Sequence, residues 1–264
     1  MQSSNGLEQP SILSKAVAVL RCFSTSNRVM TLSELSRAAL LPKPTVHRLL
    51  GRLIDLGLVE RHPSGYMVGL DMMSLAATNT AVGLREIAIP YLAALHRWSG
   101  RCIQLAVMRG TDIIYLEDIA ASAETTAEHD IGQRIPASCT AAGKVILAWE
   151  FSQEGLTPNL PTPLPALTPR SIVSLPALME ELPEIRHRGY AVDHEEERVG
   201  TVHVAAPILQ YDFAVGAVSM SWQPGETIEN RLVSALQSTA GKIGRLAREA
   251  LVRTGRPDWF IKAL

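Results

Sequence analysis

Apolar residues recur with two different periods along this chain, and the change of period marks its elements. In Thr31–Asp55 they return every three or four positions, the spacing of a helical face. Leu32, Leu35 and Ala39 share one face, and Thr31 with Glu34 forms a T-x-x-E capping box that starts a helix at Thr31. Leu40-Leu41-Pro42 ends that helix, because Pro42 restricts Leu41 to extended conformations. A second helix starts near Lys43, with Pro44 in its first turn, where a missing N–H costs nothing. Val46, Leu49, Leu50, Leu53 and Leu56 form its apolar stripe, and Gly57 ends it. Lys43, Thr45, His47, Arg48 and Arg52 occupy the intervening positions. The period then drops to two: Leu58–Arg61 and Tyr66–Val68 alternate on either side of Pro63-Ser64-Gly65, which predicts a hairpin. Upstream, Val17, Leu20 and Phe23 put a first helix over Ser14–Phe23.

Two short helices joined by a tight turn, the second basic on its outer face, followed by a hairpin, predict a winged helix-turn-helix over residues 11–70. Residues 1–10 are a polar tail. Leu70–Ala77 is apolar and helical, and Asn79–Gly83 resembles a linker, so 71–83 is assigned as a linker helix. Leu84–Trp98 is amphipathic through Ile87, Tyr91, Leu92 and Leu95. Beyond it, strands are expected at Ile103–Met108, Ile113–Ile119, Tyr190–Asp193, His203–Leu209 and Ala214–Trp222. Ala120–Asp130 is expected to be a loop with a short strand. Thr140 caps a helix running to about Trp149, and a proline-rich connector spans Leu156–Pro165. Two helical stretches are expected between Thr168 and Gly189, and a long terminal helix over Glu226–Leu251. The prediction is α+β: the winged head, then a second domain over 84–252 with a central antiparallel sheet flanked by helices, and a tail at 253–264.

Composition narrows the function classes. A hydrophobic fraction of 47% with 19% charged residues fits a soluble globular protein, and no apolar run is long enough to span a membrane. The three cysteines, Cys22, Cys102 and Cys139, are odd in number and scattered, which points to a reducing cytoplasm without a disulfide framework. The net charge of −1 would not suggest a nucleic-acid partner, but its distribution does. Residues 1–70 hold eight Lys/Arg against four Asp/Glu, net +4; residues 71–264 hold 17 against 22, net −5. A positive head can neutralise phosphates while an acidic body is repelled by them.

The chain resembles transcription regulators of the IclR family over about residues 11–250. Its marks are LSELSRAALLPKPTVHRLLGRLIDLGLVER in the head, PASCTAAGKVILA at 136–148, LTPRSI at 167–172, EIRHRGYAVDHEE at 184–196 and VGTVHVAAPI at 199–208. The resemblance implies a GAF-like C-terminal effector domain, a small organic or aromatic acid as effector, and a homodimer or tetramer on a palindromic double-stranded DNA operator. It implies neither catalysis nor a cofactor. On the recognition helix, Lys43, Thr45, His47 and Arg48 are candidates for DNA contact, Arg48 as a bidentate partner of guanine. Ser33 and Ser36 are candidates for phosphate, and Arg61 and His62 for the backbone or minor groove beside the wing. The resemblance places effector contacts on Ala141, Ala142, Asp193, His203, Ser219 and Ser221. Strand alternation supports the last pair independently, since Ser219 and Ser221 share a face opposite Val218, Met220 and Trp222. The family motif carries Cys where this chain has His203.

Other chemistry is weaker. Cys139, His203 and Asp193 would make a nucleophilic triad only if geometry brought them together, and no motif fixes it. Ala142-Gly143-Lys144-Val145 lacks the first glycine and the Ser/Thr of a phosphate loop. His194, His203 and Glu195–Glu197 match no established metal spacing, and the acidic run is expected to be a solvated face, so no metal is assigned. The alternative from another class is a small-molecule-binding enzyme carrying an incidental helix-turn-helix.

Overall fold

The computed structural model describes residues 11–24, 27–120, 129–150 and 159–254. The tail at 1–10, most of that at 253–264, most of the expected loop at 120–130 and the first three residues of the proline-rich connector lie outside the described residues. The chain divides into two compact units, 1–79 and 80–264.

In the first unit, α1 (Ile12–Leu20) starts where the Ser11 hydroxyl accepts from Ser14 N–H, two residues before the predicted start. Helix α2 (Leu32–Ala38) begins with the expected box: Glu34 N–H donates to Thr31 Oγ1 and Thr31 N–H to Glu34 Oε2 at 2.7 Å. The turn after α2 puts Leu40 at φ 53, a left-handed conformation that is strained for a side chain bearing a Cβ. Helix α3 (Lys43–Asp55) buries Val46, Leu49, Leu50 and Leu53 against Val19, Leu35 and Val59. Leu56 belongs to the same apolar stripe in sequence but is 65% exposed, because α3 ends at Asp55 and Leu56 is already its cap. Strands β1 (Val59–His62) and β2 (Gly65–Val68) form the wing, and Met30 bridges to Tyr66. Helix α4 (Asp71–Ala76) buries none of its residues.

The second unit opens with α5 (Thr80–Ser99). The Asn79–Gly83 stretch is therefore mostly the first turn of a helix. The antiparallel sheet has the order β5-β4-β3-β8-β7-β6, from β3 (Ile103–Arg109), β4 (Asp112–Ile119), β5 (Arg134–Pro136), β6 (Ala191–His194), β7 (Val202–Gln210) and β8 (Phe213–Trp222). Strand β5 was not expected; three residues are too few for a periodic signal. Between Thr168 and Gly189 there is one helix, α7 (Leu175–Arg188), instead of two, ended by Gly189 at φ 77.

One sheet face is dry. Leu105, Val204, Ile208, Val218, Met220 and Trp222 pack there against Leu84, Ala88, Leu92 and Leu95 of α5 and Leu236, Ala240 and Ile243 of α8 (Asn230–Thr254). Each fully buried Leu or Ile contributes roughly 1.5–3 kcal/mol. The opposite face carries Ala106, Ala191, Ala205 and Ala217, whose small side chains let α6 (Ala141–Glu150) lie close. Thr140 starts α6 as expected, its hydroxyl accepting from Gly143 N–H at 2.9 Å.

Two glycines in these helices respond oppositely to a methyl group. At Gly143 an added Cβ would lie 2.1 Å from the Ala137 carbonyl oxygen, a backbone atom in the turn that aims α6. At Gly241 in α8 the nearest atom is the tip of Arg245, 3.9 Å away. Gly143→Ala is expected to destabilise the second unit by about 3 kcal/mol through overpacking. Gly241→Ala is expected to stabilise it by roughly 0.5–1 kcal/mol through reduced unfolded-state entropy. Denaturant midpoints of the two variants check this, and shifts of the same sign would contradict it.

Candidate nucleic-acid interface and ligand site

The first unit presents one basic helix face. Packing of Val46, Leu49, Leu50 and Leu53 turns the other side of α3 outward, so Lys43, His47, Arg48 and Arg52 are exposed and Thr45 is half-buried. Lys43 and His47 stand one turn apart at the N-terminal end, where a helix inserted in a major groove meets base edges. Ser33 is half-buried on α2. The Ser36 hydroxyl donates to the Leu41 carbonyl at 2.6 Å and stitches the turn, so its proton is not available to a phosphate. Arg61 is exposed on the wing with its guanidinium 5.8 Å from the Tyr66 ring centre, a stacking contact that limits its swing. His62 Nδ1 accepts from Ser64 N–H at 3.2 Å, which leaves its exposed Nε2 as the outward nitrogen.

In the second unit the predicted ligand residues converge beneath α6. Asp193, His203 and Ser221 are cross-strand partners on β6, β7 and β8. Ser219, two residues from Ser221, pairs with Gln104 on β3, which pairs in turn with Asp118 on β4. All six are buried or nearly so, as are Ala141 and Ala142 at the start of α6. The N–H groups of Ala141 and Ala142 are among the first-turn donors that a helix leaves without an internal partner. Ser219 Oγ donates to Gln104 Oε1 at 3.0 Å, while Gln104 Nε2 and one oxygen of Asp118 are buried without a hydrogen-bond partner.

A buried charge network runs alongside. Asp193 Oδ2 lies 3.1 Å from His203 Nδ1, and Asp193 Oδ1 accepts from the N–H groups of Glu196 and Glu197. Glu197 Oε1 is 2.5 Å from His129 Nε2, and Tyr115 donates its hydroxyl to Glu197 Oε2 at 3.0 Å. His129 also meets Asp118 Oδ2 and stacks on Tyr115 at 3.9 Å. Burial opposes a charge on His129, but the bonds to Asp118 and Glu197 outweigh it and raise its protonation range. Burial likewise works against ionised Glu197, yet the imidazoles of His129 and His203 and the Tyr115 hydroxyl hold its carboxyl below the usual range. Burial, reinforced by Glu197, pushes the Tyr115 phenol well up, so it stays a donor.

The acidic run Glu195–Glu197 is therefore not a solvated face: all three residues are buried. Asp193 folds the segment inward by accepting its N–H groups, and each carboxylate then finds a partner. Glu195 pairs with Arg170, Glu196 with Lys144 at 2.7 Å, and Glu197 with His129. Lys144, 1% exposed, also reaches Glu181, so it is an internal counter-ion rather than a phosphate-loop lysine. Cys139, His203 and Asp193, set aside as a triad in the sequence, form none among the described contacts. Cys139 Sγ bonds the Pro165 carbonyl at 3.1 Å, and burial pushes its thiol up, away from the thiolate a nucleophile needs. Sequence reasoning missed Gln104, Tyr115, Asp118 and His129, and it took Glu197 for part of a solvated run. Of the four missed, only Gln104 left a trace, as a polar residue inside the apolar run Ile103–Met108.

Residues 12–63 match the model of the IclR helix-turn-helix domain, and residues 76–245 that of the bacterial transcriptional regulator IclR C-terminal domain. The chain belongs to the IclR family. The regulator XynR of Escherichia coli K12 is 30% identical over 211 residues, 78% of this chain and 84% of the relative. The repressor YiaJ of the same strain is 32% identical over 232 residues, 80% of this chain and 79% of its own. Among solved structures, an IclR homologue from Microbacterium hydrocarbonoxydans complexed with 4-hydroxybenzoate superposes with a TM-score of 0.75 at 23% identity, over 91% of this chain and all of that one. An IclR-type regulator from Alicyclobacillus acidocaldarius gives 0.68 at 25% identity, over 90% and 99%. These relatives are regulators of transcription, and this IclR-family chain is a DNA-binding transcription regulator rather than an enzyme.

The exposed face of α3 makes two substitutions distinguishable on a duplex selected by the protein from a random pool. Arg48→Ala is expected to weaken specific binding by about 1–3 kcal/mol and relax preference at one position of each half-site. If Lys43 meets only phosphate, Lys43→Ala should weaken all sequences alike and flatten the salt dependence. Gel-shift titrations at several salt concentrations read both, and wild-type behaviour in both variants would remove α3 from the interface.

Proposed function

We propose that the second unit binds a small organic acid between α6 and the sheet, and that this ligand modulates binding of a palindromic operator by a dimer or tetramer in the cytoplasm. The observation that carries the reading is the start of α6. Ala141 and Ala142 carry small side chains and place their N–H groups at the positive end of a helix dipole, beside a buried polar row. A carboxylate suits that helix end. It does not suit the carboxylates of the row, Asp118 on β4 and Asp193 on β6, or Glu197 beside Asp193. The ligand therefore presents a hydrogen-bond donor, such as a hydroxyl, to those carboxylates. The Microbacterium homologue's 4-hydroxybenzoate has both ends.

Dimerisation is supported by unpartnered apolar surface in the first unit. Ile12 and Leu13 of α1 and Leu70, Met73 and Leu75 at α4 are each more than 60% exposed. The apolar stripe of α5 is not available for it, because Leu84, Ala88, Leu92 and Leu95 are buried in the second unit's own core. Sedimentation of the full chain at micromolar concentration reads the assembly directly.

A thermal-shift screen of the full chain against organic acids with and without hydroxyl groups tests the ligand class. A ligand at a hundred times its Kd stabilises the native state by about 2.7 kcal/mol. For a unit of this size that raises Tm by roughly 5–10 °C. Hydroxy acids are expected to act most strongly, and Ser221→Ala to weaken them. Stabilisation by cationic ligands alone would contradict the proposal.

A further inference from the structure

Two buried polar atoms of opposite kind, a donor and an acceptor, lie on neighbouring strands with no partner. Gln104 on β3 is fully buried; its amide oxygen accepts from Ser219 Oγ at 3.0 Å, while Nε2 makes no hydrogen bond. Directly opposite it on β4 is Asp118. Asp118 Oδ2 accepts from His129 N–H at 2.7 Å and meets His129 Nδ1, while Oδ1 is buried and unpartnered. Residues opposed in this way share a sheet face, with Cβ atoms about 4.5–5.5 Å apart. That face is the one α6 covers: Ala106, two residues along β3, packs with Ala141 and Ala142. A buried donor and a buried acceptor are costly to leave open, and each is satisfied only by a group of matching type. We propose that Gln104 and Asp118 together select a neutral hydroxyl on the ligand, which accepts from Gln104 Nε2 and donates to Asp118 Oδ1. The inference rests on the ligand site proposed above and names the pair that sets its specificity.

The other common ligand groups each fail one half of the pair. A carboxylate accepts from Gln104 but is repelled by Asp118. An ammonium donates to Asp118 but gives Gln104 nothing to donate to. An ether or ketone oxygen accepts from Gln104 and leaves Asp118 bare. A hydroxyl donates and accepts at one oxygen, so it satisfies both atoms. Water has the same capability, so a hydroxyl displaces it without losing a hydrogen bond and an ether does not. Charge also fixes the sense of the Gln104 amide: turned over, its oxygen would take the open position beside the Asp118 carboxylate, acceptor against acceptor. Asp118 does not require a cation from the ligand either. Burial opposes a charge on His129, but the bonds to Asp118 and Glu197 outweigh it, which favours an imidazolium beside the carboxylate. Two anchors hold the pair in place, Ser219 Oγ on the Gln104 oxygen and His129 N–H on Asp118 Oδ2.

The test titrates the full chain by calorimetry with matched probes: glycolate, lactate and the three hydroxybenzoates, each beside its deoxy acid and its O-methyl ether. Phenol beside anisole makes the same comparison without a carboxylate. The hydroxyl compounds that bind are expected to do so at least about tenfold more tightly than their analogues. Gln104→Met, close in shape but without the amide, is expected to remove that preference. Asp118→Asn is expected to shift it toward the ethers. The bond from His129 N–H keeps the amide oxygen at the Oδ2 position, so the NH₂ group takes the place of Oδ1 and donates to an ether oxygen. A purely structural role would weaken every probe alike and leave the ratios unchanged. Far-UV circular dichroism checks that each variant is folded. If neither variant folds, the hydroxyl-to-ether ratio of the wild type decides. Equal affinities within the wild-type pairs, unchanged ratios in folded variants, or no binding of any hydroxyl probe at millimolar concentration would overturn the pair. Acids that bind regardless of their hydroxyl would leave the acid site standing and remove the pair. Phenol bound as tightly as the hydroxybenzoates, with anisole rejected, would keep the pair and remove the acid site.

Discussion

Helix α6 has to lie against a sheet face that carries charge, and most of the second unit follows from that constraint. Close approach is possible because Ala106, Ala205 and Ala217 line the sheet beneath it and Gly143 leaves room for the Ala137 carbonyl. The same approach removes water from Asp193, Glu197 and His203, so each must be satisfied internally. The opposite face bears the more conventional load, with α5 and α8 burying an apolar layer across β3, β7 and β8. One face thus provides the larger apolar layer, and the other can carry polar groups that weaken it.

Buried ion pairs are seldom the best way to stabilise a core; an apolar core of the same volume often does better. Here at least ten charged or ionisable side chains lie on one side of a single sheet: Tyr115, Asp118, His129, Lys144, Glu181, Asp193, Glu195, Glu196, Glu197 and His203. Such a network fixes one arrangement of β6, β7 and the turn between them, and it prepares directional contacts for whatever enters. It also resolves a tension in the ligand proposal. In the proposed mode a carboxylate is repelled by Asp193 and Glu197 but favoured at the α6 N-terminus, so charge sets the ligand's orientation.

The first unit was legible in the sequence almost element by element. Its signals are local: the Thr31–Glu34 box, Pro44 in a first turn, Gly57 at φ 69 after α3, and a hairpin turn at Pro63-Ser64. Leu56 misled because periodicity continues past the point where the backbone stops being helical. In the second unit strand alternation placed Ser219 and Ser221 together, and the motif around Gly200 brought in His203. The partners of that site were hidden because they are non-local. His129 and Glu197 are 68 residues apart and Tyr115 and Glu197 are 82 apart, so no spacing rule connects them. The run Glu195–Glu197 has the composition of a surface, and only the capture of its N–H groups by Asp193 turns it inward.

The central claim is that a ligand held under α6 and DNA held by α3 act on one equilibrium. Coupling of that kind is reciprocal: each partner changes the other's affinity by the same factor. The most direct measurement takes an acid that raises Tm and the duplex selected by the full chain. The Kd for DNA is measured with and without saturating acid, and the Kd for acid with and without saturating DNA. The account predicts equal factors of about 5–150-fold. An acid that binds the second unit tightly yet leaves DNA affinity unchanged would contradict it.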